Sequence, residues 1–97
     1  MSVEENITIL FFMTAKAGRE EECRELVTRS TETTRAEDEG CINYIFHQQI
    51  DNPREFVLYE QWRDQAALNA HLARLQAVGG ATDVAENIRS IRLRVVL

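Results

Sequence analysis

The stretch CINYIFHQQIDNPREFVLYEQWR, residues 41–63, decides the fold. Two runs rich in β-branched and aromatic residues flank Asp51-Asn52-Pro53-Arg54. Proline presets its own φ, and aspartate and asparagine bond their own backbone, so this tetrapeptide marks a turn. The stretch therefore reads as a β-hairpin with strands over 41–50 and 55–63. With residues 51–54 as the loop, Ile50 faces Glu55, His47 faces Leu58, Ile45 faces Glu60 and Asn43 faces Trp62. One side of the hairpin then holds Asn43, His47, Leu58, Glu60 and Trp62. The other holds Ile42, Tyr44 and Phe46 with Val57, Tyr59 and Gln61.

Upstream, residues 6–15 form a strand with large apolar groups on both faces: Ile7, Ile9, Phe11 and Met13 one way, Leu10 and Phe12 the other. Gly18 breaks it. A helix over 18–37 follows, with Glu20, Glu21 and Glu22 where the macrodipole favours negative charge. Cys23, Leu26, Val27, Ser30 and Thr34 make its inner stripe, and Glu20–Arg24 and Glu25–Arg29 are i,i+4 pairs on its solvated face. Glu37-Asp38-Glu39-Gly40 ends the helix and turns the chain. Downstream, Asp64 is a natural N-cap for a helix over 65–76, whose stripe is Leu68, His71, Leu72 and Leu75. Gly79-Gly80 interrupts, residues 82–87 add one helical turn, and a last strand over 88–97 alternates Ile91, Leu93, Val95 and Leu97 with Arg92, Arg94 and Val96.

The order is β-α-β-β-α-β, the ferredoxin-like α+β unit: a four-stranded antiparallel sheet with helices on one face. Two helices cover only one face of such a sheet. The other face, apolar by the same alternation, is expected to pack on a second copy, which makes the chain a homodimer.

The 97 residues, 44% hydrophobic, fit one domain over 1–97. A net charge of -5 without a basic stripe argues against a nucleic-acid backbone as partner. No apolar run approaches the ~20 residues of a membrane span, and the N-terminus lacks a secretory pattern, so a cytoplasmic protein is expected. Its two cysteines, Cys23 and Cys41, then read as free thiols. The chain carries no glycine-rich phosphate loop, no metal-type ligand spacing and no Gly-x-Ser-x-Gly elbow. Neither a cofactor nor a metal is indicated.

The segments Glu39-Gly-Cys-Ile-Asn-Tyr44, His47, Asp51-Asn-Pro-Arg-Glu-Phe-Val-Leu-Tyr-Glu-Gln-Trp62 and Asp64-Gln-Ala-Ala-Leu-Asn-Ala-His-Leu72 together resemble the antibiotic biosynthesis monooxygenase family. Lys16-Ala-Gly-Arg-Glu20 extends the match. The resemblance implies a dimeric ferredoxin-like α+β barrel. It implies no single reaction, because that scaffold serves cofactor-free oxygenases of polycyclic phenols and quinols, haem-degrading enzymes and an autoinducer-processing isomerase.

In the cofactor-free oxygenases the aromatic substrate loses a proton and its electron-rich anion reacts directly with oxygen. Such chemistry needs a flat apolar pocket, a donor for the developing oxyanion and a group to handle the proton. Trp62 matches that branch, whereas Leu58 stands in place of a strand asparagine and Leu68 in place of a helix tyrosine. The haem-degrading branch has a tryptophan where this chain has His71, and its ligand histidine falls near Ala81. The isomerase branch has a histidine corresponding to His71.

Read together, Trp62, His71 and Glu60 are the catalytic candidates, and Asn43, His47, Leu58 and Leu68 the substrate-lining ones. Each also has a plain structural reading: Trp62 and His71 as core, Glu60 as partner of a helix end or arginine, His47 at a wet sheet edge. Tyr44 and Tyr59 are expected at the dimer contact, and Arg89, Arg92 and Arg94 on a solvated or bridging strand. The function expected is a cofactor-independent monooxygenase acting on a small aromatic or quinol-type molecule. The alternatives are a non-catalytic small-molecule-binding dimer, or an isomerase using His71.

Overall fold

A computed structural model describes residues 6–96. Its elements are β1 (Ile7–Ala15), α1 (Glu20–Glu37), β2 (Cys41–Gln48), β3 (Glu55–Trp62), α2 (Gln65–Val78), α3 (Ala81–Val84) and β4 (Ala85–Leu93). The four strands form one antiparallel sheet in the order β2-β3-β1-β4. This is the ferredoxin-like arrangement expected from the order of elements. Leu97, expected at the end of the last strand, lies outside the described residues.

The helices cover one face of the sheet. Against α1, Cys23 and Val27 pack on Met13, Phe56 and Val84. Against α2, Ala67 and Leu68 pack on Ile9, Tyr44, Leu58 and Trp62. Phe11 and Phe46 touch both clusters and join them. Buried side chains such as Met13, Phe56 and Leu58 are each worth about 1.5–3 kcal/mol of transfer free energy. At the helix ends, Asp64 caps α2 by accepting from the Ala67 N–H at 2.9 Å. Gly40 ends the α1–β2 turn at φ +88°, where a Cβ would stand 2.5 Å from that of Ala67.

The hairpin register differs from expectation by one residue. The Gln49 N–H donates to the Glu55 carbonyl at 2.9 Å, so the loop begins at Ile50, which is 96% exposed. The Asn52 carbonyl and side chain accept from Glu55 and Arg54 and close the turn. One extra loop residue reverses the pleat of β2 against β3. Tyr44 therefore pairs with Glu60, Phe46 with Leu58, Ile45 with Tyr59 and His47 with Val57. Tyr44 and Phe46, expected at the dimer contact, face the helices instead. Asn43 and His47, expected beside Glu60 and Trp62, face away from them. A bulge between Cys41 and Asn43 then brings Cys41 opposite Trp62.

Smaller differences follow local geometry. On α1 the ion pair formed is Arg19–Glu22, not Glu20–Arg24 or Glu25–Arg29. On α2 the inward row is Ala67, Leu68 and His71, which rotates Leu72 outward to 51% exposure. Residues 85–87, expected to be helical, already belong to β4. Asn87 at φ 53° sits in the bulge between β4 and β1, and asparagine is a residue that tolerates that region.

The face away from the helices shows three cross-strand rows. Asn43, Gln61 and Thr8 are linked by side-chain hydrogen bonds of 3.1 Å. Ile45, Tyr59, Leu10 and Ile91 form an apolar row, and His47, Val57, Phe12 and Arg89 the next. The Arg89 guanidinium lies 4.3 Å from the Phe12 ring centroid.

Candidate functional site

Three of the sequence-derived candidates meet between the sheet and α2. Glu60 and Trp62 lie two residues apart on the same face of β3, and the indole Nε1–H donates to the Glu60 Oε1 at 2.7 Å. His71, one turn inside α2, sets its ring 4.5 Å from the Trp62 ring at 34°. Leu58 and Leu68 line the same cluster. Trp62 has no exposed surface and His71 is 1% exposed.

Tyr44 completes the aromatic wall. Its ring meets His71 edge-on at 5.3 Å and Trp62 at 6.4 Å, and its hydroxyl lies 3.4 Å from that of Ser30. The one-residue register difference delivers this residue to the site and removes Asn43 and His47 from it. His47 instead lines an open cleft of about 430 Å³ between α1 and β2, with Arg24, Glu32, Arg35 and Phe46. A second cleft of about 250 Å³ runs along β2 past Cys41 and Asn43. Neither is lined by Glu60, Trp62 or His71.

Behind His71 stands a charged pair that sequence reading missed. Asp38 Oδ2 lies 2.6 Å from His71 Nδ1. Arg74 grips the same carboxylate with two bonds of 2.8 Å and donates to Thr34 Oγ1 at 3.0 Å. A signal for Asp38 existed: a carboxylate at the C-terminal end of a helix opposes the macrodipole, so it needs a compensating partner. Arg74 falls three residues after His71 in α2, on the same side of the helix.

These contacts set the charge states. The bonds from Arg74, then that from His71, hold the Asp38 carboxyl below the ordinary carboxylate range, against the opposing effect of its burial. Desolvation depresses the His71 pKa, partly offset by Asp38, which favours the neutral imidazole. Burial raises the Glu60 pKa, with the Trp62 bond opposing it, and burial raises that of Tyr44. The cluster thus combines an imidazole biased toward its neutral form, a carboxyl group whose pKa is raised and a carboxylate whose pKa is lowered, a spread of proton affinities that suits proton transfer.

Among the described residues, no group of three or more His, Cys, Asp or Glu side chains is placed to hold a metal ion. No described helix is long and apolar enough to cross a membrane. Cys23 and Cys41 are free thiols.

The antibiotic biosynthesis monooxygenase family model matches residues 6–77. Among solved structures, PA3566 from Pseudomonas aeruginosa is 26% identical, with both chains covered over 100% and a TM-score of 0.87. SO0527 from Shewanella oneidensis is 21% identical, with 95% of this chain and 92% of that one covered and a TM-score of 0.84. A mutant of SnoaB, a cofactor-independent oxygenase from Streptomyces nogalater, is 16% identical over 94% of this chain and 93% of its own, with a TM-score of 0.80. No curated protein matches the sequence.

Proposed function

The chain belongs to the antibiotic biosynthesis monooxygenase family, and from that premise we propose that it is a cofactor-independent monooxygenase acting on a small aromatic or quinol-type substrate. The observation that carries this reading is the meeting of Glu60, Trp62 and His71 in one buried aromatic cluster. Trp62 and Tyr44 supply flat apolar walls, with Leu58 and Leu68 beside them. His71, neutral and buried, receives the substrate proton, and Glu60 serves as the second polar group. The resulting anion reacts at carbon with molecular oxygen to give a peroxide; the remaining hydrogen on that carbon is then lost as the O–O bond breaks, so the carbon becomes a carbonyl and the other oxygen leaves with both protons as water. Low polarity around the anion strengthens each hydrogen bond it keeps.

The active form is a homodimer packed through the sheet face away from the helices. Supporting this, Leu10, Phe12, Val57 and Tyr59 are only half-buried there, and Ile45, Ile91 and Leu93 are 39%, 47% and 41% exposed. Beyond β4, Val95 and Val96 also present apolar surface, at 45% and 94% exposure. Apolar patches of this extent are uncommon on a monomer. The free thiols accord with a cytoplasmic setting.

The test is oxygen uptake with a panel of phenols and hydroquinones, comparing wild type with Trp62→Phe and His71→Ala. Uptake above a heat-denatured control, falling by about 10²–10⁴-fold in His71→Ala, is expected for a lost general base. Turnover that depends on His71 but consumes no oxygen would instead establish an isomerase. A second reading, a binding dimer without catalysis, is favoured by the complete burial of Trp62 and by clefts that open elsewhere. It predicts ligand-induced stabilisation with no turnover.

A further inference from the structure

His71 stands between two different environments. Its Nδ1 side meets Asp38, and its ring plane lies over Trp62. A carboxylate fixed by two bonds from Arg74 has only lone pairs to offer. A bare Nδ1 at 2.6 Å from it would be repelled, so the Nδ1–H donates to Asp38 Oδ2. In the neutral imidazole the other nitrogen then carries no proton. Among the described residues no side chain bonds to His71 Nε2, and no fully occluded polar side-chain atom lacks a partner.

We propose that Asp38 and Arg74 are positioning residues that hold neutral His71 as its Nδ1–H tautomer and leave Nε2 as the proton acceptor for a substrate O–H or activated C–H. In that step the proton moves from substrate to Nε2, and the electron pair stays on the substrate. The imidazolium that forms is met by the Asp38 carboxylate, whose own charge Arg74 keeps in place. Asp38 comes from the end of α1, whereas His71 and Arg74 come from α2, so the acceptor is assembled only when the two helices dock. The identity of the acceptor rests on the reading of the Glu60–Trp62–His71 cluster as a reaction site; the tautomer does not.

The tautomer is read directly by long-range proton–nitrogen NMR on the ¹⁵N-labelled protein near neutral pH. The chain has two histidines, and His71→Gln assigns the signals. Wild type is expected to show a protonated Nδ1 and a bare Nε2 at His71. A predominant Nε2–H form, or an even mixture, overturns the proposal whatever the reaction is. In Asp38→Ala the acceptor is gone, so the proton is expected to move to Nε2, the position a free imidazole favours. A folded Asp38→Ala protein that keeps Nδ1–H would overturn the role of Asp38. On the substrate found by the oxygen assay, inversion should lower kcat by about 10²-fold or more, with KM within about threefold. Unchanged turnover with an inverted tautomer would show that His71 is not the acceptor. If Asp38→Ala does not fold, Asp38→Glu, which keeps an acceptor, must retain both the Nδ1–H signature and activity.

Discussion

The hairpin register is the feature on which the division of the two sheet faces depends, and paired substitutions at Phe46 and Tyr59 test it. Phe46 is half-buried under the helices, 5.9 Å from the Tyr44 ring and 6.5 Å from that of Phe11, and it joins both core clusters. Core Phe→Ala changes cost about 3–5 kcal/mol. Partial exposure places Phe46 at the low end, and a carboxylate left under the helices without a partner adds about 1–3 kcal/mol. A loss of about 4–6 kcal/mol for Phe46→Asp is a large part of a domain stability of about 5–15 kcal/mol. It corresponds to a fall in Tm of roughly 15–50 °C at this size. Tyr59, on the opposite face beside Leu10 and Ile45, supports no helix. Tyr59→Asp should leave the fold intact and weaken the proposed dimer. The fluorescence of the single tryptophan, Trp62, buried beside Tyr44, follows unfolding in urea, and light scattering gives the mass. A folded, fully stable Phe46→Asp monomer beside a dimeric Tyr59→Asp protein would refute the register and restore the alternative pleat.

Two further outcomes are expected. Burial raises the Glu60 pKa, so the folded chain binds this proton more tightly than the unfolded chain does. Stability from this group then declines as pH climbs from the ordinary carboxylate range through the raised folded value. Glu60→Gln should therefore exceed wild type in stability above that window and lose its advantage as acid protonates Glu60; urea titrations at acid and neutral pH would show the crossover, and a deficit only at neutral pH would contradict it. Gly40→Ala combines a left-handed φ with a Cβ 2.5 Å from that of Ala67, a cost of about 2–5 kcal/mol. Gly79→Ala, at φ 68° with open space around it, should lose only about 1–2 kcal/mol in the same denaturation assay.

Residue types and spacing were enough to determine the elements and their order. Alternation in 7–15, the Asx-Pro turn, the Asp64 cap and the helical stripe through Leu68 and His71 are local signals, and local backbone physics decides them. They also placed Glu60, Trp62 and His71 within reach of one another, because β3 leads directly into α2. Which face of β2 joins them was not local. It turned on whether Ile50 closes the strand or opens the loop, and that one residue exchanged Asn43 and His47 for Tyr44. Asp38 and Arg74 were hidden for a related reason. Each sits in an ordinary charged stretch, and the bonds of Asp38 to His71 and Arg74 exist only once the end of α1 meets α2. Sequence determined which groups are available on each element, whereas tertiary packing decided which are desolvated together and therefore which shift one another's proton affinity.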